Sequence, residues 1–99
     1  IMSKIIIERQ HALGTQGVRT ILDRLAKDPM SSMISWRWDE TNSQHLLCEG
    51  KQGMTKGCTG DLSFTESTLK LTLNLPGGLS LFKALVEKEV NKQLDKYLA

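Results

Sequence analysis

The side chains in this sequence able to do chemistry beyond packing are His11, His45, Cys48, Cys58, Asp39 and Asp61. His45-x-x-Cys48 has the outline of half a zinc motif, but residues three apart on a strand point to opposite faces and cannot close on one ion. A hairpin centred on Lys51-Gln52 sets His45 opposite Cys58, which makes a pair of ligands and no more. No metal or cofactor is therefore expected. The same pair could begin a nucleophilic site, a thiol beside an imidazole base, with Asp61 or Asp39 orienting the ring. Nothing in the spacing assembles that trio, and a free cysteine commonly behaves as a small core hydrophobe. No catalytic residue is assigned, and the chain is expected not to be an enzyme. Asp39-Glu40 reads as a pair of solvated acids at a turn, and Gly77-Gly78 lacks the remaining spacing of a phosphate loop.

Trp36 and Trp38 carry more weight, because two large aromatics on one strand face either fill a core beneath a helix or line a groove for an apolar ligand. The elements that must position them follow from periodicity. Lys4 to Gln10 is rich in β-branched residues and predicts a first strand. Val18, Ile21, Leu22 and Leu25 share one helical face, with Thr15 as a hydroxyl cap and Asp28-Pro29 as the stop. Met33 to Asp39 reads as a strand with Ile34, Trp36 and Trp38 on one side. His45 to Glu49 forms another, and Gly50-Lys51-Gln52-Gly53 supplies hairpin residues. Over Thr55 to Thr65 the inward candidates are Cys58, Leu62 and Phe64, with Gly57 and Gly60 marking a bulge or a close approach. Leu69, Leu71, Leu73 and Leu75 alternate with polar residues and give the clearest strand. A final helix from Leu79 to Leu98 carries the stripe Leu79, Phe82, Val86, Val90 and Leu94.

The order β-α-β-β-β-β-α predicts an α+β domain: an antiparallel meander covered on one face by two helices. With 99 residues and 11.1 kDa there is room for one core, so residues 2–99 are read as one domain with Met2 as the natural start. A formal charge of +2 is too small to argue for nucleic acid, and 39% apolar residues exclude a disordered chain. No apolar run nears the ~20 residues of a membrane-spanning helix. Two cysteines are too few for a secreted disulfide framework, so a cytoplasmic location is expected.

Four segments, SKIIIERQHALG, SWRWDE, KGCTGDLSF and FKALVEKEVNKQLDKYLA, appear in an order that resembles the polyhydroxyalkanoic acid system proteins of bacterial polyester-granule gene regions. The resemblance covers nearly the whole chain. It implies association with polyhydroxyalkanoate (PHA) metabolism and brings no catalytic residue. The family's element order also looks like a reduced helix-grip architecture, in which a C-terminal helix closes a curved sheet. The leading expectation is a binding or accessory protein whose groove, lined by Trp36, Trp38, Leu71, Leu73, Phe82 and Val86, meets an acyl-like ligand or a granule surface. The second is a structural module that pairs with its own copies, as a homodimer, through a sheet edge or face; the third is a hydrolase using Cys58 and His45.

Overall fold

The computed structural model describes residues 3–27, 34–51 and 56–98. The elements are β1 (Ser3–Gln10), α1 (Gly14–Lys27), β2 (Ile34–Asp39), β3 (Asn42–Gly50), β4 (Thr59–Phe64), β5 (Thr68–Leu75), a 3-10 segment (Gly77–Phe82) and α2 (Lys83–Leu98). All five strands join one sheet in the order β1-β5-β4-β3-β2, and every neighbouring pair is antiparallel. This is the α+β arrangement expected. β1 and β2 are the two edges, so α1 carries the chain from one side of the sheet to the other.

Period-two burial separates the two faces. In β1, Ile5 and Ile7 are buried while Ile6 between them is 52% exposed. The three isoleucines conceal in sequence an alternation that is regular in space. Ile5, Ile7, Leu46, Leu62, Phe64, Leu69, Leu71 and Leu75 turn toward the helices and join Val18 and Leu22 of α1 in one core. Val86, Val90, Leu94 and Leu98 of α2 pack against that core, so the terminal helix docks on the sheet as its stripe predicted. Arg9 of β1 ties α2 down by donating to Asn91 Oδ1 at 3.3 Å and pairing with Asp95.

Several local expectations need correction. The terminal helix does not run unbroken from Leu79: Leu79 N–H donates to Pro76 O and Ser80 Oγ to Gly77 O, both at 2.8 Å, within the 3-10 segment. Pro76-Gly77-Gly78 is a poor start for an α-helix, so the chain makes tighter turns first. A 3-10 residue advances about 120° rather than about 100°, which shifts the stripe's phase, and Phe82 ends 40% exposed. The helix before it is capped differently as well. Gly14 opens α1 at φ +72°, and Thr15 N–H donates to Glu66 Oε2 at 3.3 Å. A carboxylate from the β4–β5 turn thus takes the place of the expected Thr15 hydroxyl. Asp28-Pro29, Met33, Gln52, Gly53, Thr55 and the Leu25 side chain fall outside the described residues.

Candidate functional site

The helix-free face of the sheet carries a charged trio. Trp38 faces the core, so its neighbour Asp39 turns to the other face, and the β2–β3 register slips between these two residues. His45 lies on that same face of β3, and Asp61 projects from β4 directly opposite Leu47, diagonal to His45. The His45 ring stands between the two acids: Nδ1 is 2.9 Å from Asp39 Oδ2 and Nε2 is 2.7 Å from Asp61 Oδ2. Asp39 Oδ1 also accepts from Thr41 N–H at 2.8 Å and Thr41 Oγ1 at 2.7 Å.

The electrostatics follow from these contacts. Hydrogen bonds to Asp39 and then Asp61 raise the His45 pKa above its ordinary 6.5, and partial burial opposes them less strongly. The His45 and Thr41 donors hold the Asp39 carboxyl far below the usual carboxylate range. Both ring nitrogens are engaged by carboxylate oxygens, so neither is left free to act as a base or bind a metal. Among the described residues, no group of three or more His, Cys, Asp or Glu side chains is arranged to hold a metal ion.

The thiols do not meet this histidine. His45 is opposite Ser63, not Cys58 as the assumed hairpin centre required; Cys58 is opposite Gly50, whose N–H donates to Cys58 O at 2.8 Å. Parity then puts Cys58 and His45 on opposite faces, and Cys58 packs against the core. Asp39 and Asp61 do flank His45, so sequence reasoning named the acids correctly and paired the ring with the wrong nucleophile. Burial pushes the Cys48 thiol up to about 12, with the Asp61 charge adding to it, and also raises Cys58. Both thiols are protonated at neutral pH and poor nucleophiles.

Of the six groove candidates, Trp36, Trp38, Leu71 and Leu73 fall on two adjacent cross-strand rows of the helix face, while Phe82 is 40% exposed. Trp38 is half-buried over α1: its Nε1–H donates to Asp23 Oδ1 at 2.7 Å, Arg19 stacks 4.1 Å from its ring centroid, and Phe64 meets it edge-on at 6.2 Å. Leu71 is 4% exposed inside the core. Trp36 and Leu73 occupy one cross-strand row, separated by Cys48 and Gly60, and Val86 of α2 is half-buried against the same core. Gly60 is a close-approach glycine, because a Cβ there would lie 2.5 Å from Thr72 O and 2.8 Å from Leu73 Cδ2. Two clefts lie elsewhere. One of about 500 Å³ is bordered by Glu8, Gln10, Ser63, Thr65, Thr68 and Lys70 among others, and one of about 640 Å³ by Leu85, Lys88, Asn91, Lys92 and Asp95.

Sequence reasoning missed the exposed apolar cluster at the start of α2. Leu81 is 90% exposed, Leu85 62% and Phe82 40%. Leu81 and Leu85 stand outside the buried stripe of α2. The available signal was Pro76-Gly77-Gly78, which sets the phase of everything after it.

These features define an α+β protein with an open antiparallel sheet, both helices on one face and an apolar cluster at the head of the second. The chain belongs to the polyhydroxyalkanoic acid system protein family (PHA_gran_rgn), whose model matches residues 5–98. That membership links it to the PHA system. No curated protein and no solved structure matches it. No helix among the described residues is long and apolar enough to cross a membrane.

Proposed function

We propose that this protein is a non-enzymatic accessory protein of the PHA system that docks on the apolar polyester of the granule through the start of α2. The exposure of Leu81, Phe82 and Leu85, three large apolar side chains within five residues, carries the reading. Their spacing keeps them to one side of the turn, where their burial against a polymer would contribute about 1.5–3 kcal/mol for each fully covered side chain. Lys83 and Lys88 are exposed beside them. Lysine stems lie along an apolar surface while their ammonium groups reach its edge, and the ester carbonyls of a polyhydroxyalkanoate offer acceptors there.

Co-sedimentation with protein-stripped granules or adsorption to a cast polyester film tests this. The unaltered chain is expected to be retained, and the double variant Leu81→Ser/Leu85→Ser to lose most of that retention while keeping its melting temperature. Equal retention of the two chains, or no retention of either, would overturn the proposal.

A second reading keeps an acyl-like ligand on the helix face. It is favoured by Trp36 and Leu73, two half-buried apolar side chains in one cross-strand row of that face. Titration of medium-chain hydroxyacyl compounds against tryptophan fluorescence separates the readings, since only a groove ligand reaches Trp36.

A further inference from the structure

Strand β1 forms one edge of the sheet, with β5 its sole strand partner among the described residues. Its register with β5 runs without a slip from Ser3↔Leu75 to Gln10↔Thr68. The ladder continues past the strand in the bond from His11 N–H to Ser67 O at 2.9 Å. In an antiparallel pair, residues that exchange bonds with the partner alternate with residues whose N–H and C=O point away. Since His11 is directed at β5, the other odd residues of β1 are as well, and Lys4, Ile6 and Glu8 present their backbone groups to the outside. Their side chains are exposed on the helix-free face. The opposite edge is protected by comparison, because β2 slips register between Trp38 and Asp39.

The segment Lys4-Ile5-Ile6-Ile7-Glu8 is self-complementary about Ile6. A two-fold axis there, perpendicular to the sheet, sets Ile6 against Ile6 of a second copy and Ile5 against Ile7. It also sets Lys4 against Glu8 at both ends. Every directly opposed pair then lies on one face, and the outward groups of Lys4, Ile6 and Glu8 are those that exchange hydrogen bonds. Charged side chains commonly blunt an edge strand. Here the signs reverse about the axis, so the same charges favour a single register: moving the axis to Glu8 opposes two carboxylates, and moving it to Ile7 pairs Lys4 with Gln10. Both helices lie on the other face from these side chains.

We infer that the β1 edge is a homodimer interface, in which two copies pair antiparallel about Ile6 and fuse their five-stranded sheets into one continuous sheet. Self-complementarity of charge and of outward backbone groups identifies the partner as a second copy of this chain. The interface is independent of polyester docking, because it uses neither Leu81 nor Leu85.

Sedimentation velocity of the full chain over a wide concentration range tests it. The unaltered chain is expected to show a monomer–dimer equilibrium. Lys4→Glu should raise the dimer dissociation constant about tenfold, since it creates a like-charge contact at both ends of the pairing. Lys4 is opposite the neutral Asn74 within its own sheet, so this change leaves the monomer undisturbed. Adding Glu8→Lys in the same chain should restore dimerisation, with the melting temperature read alongside because Glu8 is opposite Lys70 in its own sheet. Ile6→Pro removes an outward N–H and no bond to β5, and should abolish the dimer. A chain that stays monomeric throughout, a dimer indifferent to Lys4→Glu, or a weakened dimer that Glu8→Lys does not rescue would each overturn the inference.

Discussion

His45 Nε2 lies 2.7 Å from Asp61 Oδ2 across the β3–β4 pair. With Nδ1 bonded to Asp39, the ring links the edge strand β2 to the centre of the sheet through two charge-assisted bonds. That link depends on the proton His45 carries. Its pKa is raised on folding, so the contribution is complete below the unfolded value of about 6.5 and fades as pH rises through the higher folded value. Asp39 behaves oppositely: its contribution is present above its ordinary 3.8 and fades only as pH falls through a far lower value. The trio is therefore most stabilising between these ordinary values. The denaturant midpoint of the unaltered chain should decline from about pH 5 to about pH 9 more than that of His45→Gln. The difference should be modest, because the Asp61 side chain is 40% exposed and solvent screens it. Parallel profiles would show that the ring carries no folding-linked proton.

Gly60 and Gly78 should respond in opposite ways to alanine. At Gly60 a Cβ would press on Thr72 O, Leu73 Cδ2 and Cys48 Sγ, so β4 and β5 must shift. Overpacking of this kind costs about 1–3 kcal/mol. At Gly78 nothing lies within 4 Å, and alanine should be neutral or stabilising by about 0.4–1 kcal/mol through the unfolded chain's lost freedom. Chemical denaturation of the two single variants measures both.

Leu46 and Leu81 are the same residue type at the two extremes of exposure, 0% and 90%. Leu46→Ala should lower unfolding free energy by about 2–5 kcal/mol, while Leu81→Ala should change it by less than about 0.5 kcal/mol. A large loss at Leu81 would mean that the side chain is covered within the monomer, which would also remove the basis for polyester docking.

The two thiols should differ from free cysteine in their reaction with a disulfide reagent at about pH 8. Cys48, pushed up to about 12, should be silent until the protein unfolds, and Cys58, less buried, should react slowly. Fast stoichiometric labelling of Cys58 in the folded protein would contradict its packing against the core.

Much of this architecture is legible from periodicity alone. Leu69, Leu71 and Leu75 proved to be core, and so did the inward pair Leu62 and Phe64. Trp36 and Trp38 share a face by the same rule, because a strand's side chains alternate with period two whatever it pairs with. The docking stripe of α2 was equally readable from Val86 onward, where α-helical geometry has begun. At the head of the helix the reading held for Leu79, which packs against the core, and failed for Phe82, whose direction is set by the handover between two helix types with different turns per residue.

By itself, then, the sequence determined the elements, their order and the inward-facing residues of the strands, because those depend on local geometry that repeats every two or every 3.6 residues. It could not determine register, which depends on how two separated segments slide against one another and on where a bulge intervenes. Only the tertiary structure decided that His45 would stand opposite Ser63 rather than Cys58, and that a slip after Trp38 would bring Asp39 within 2.9 Å of the ring.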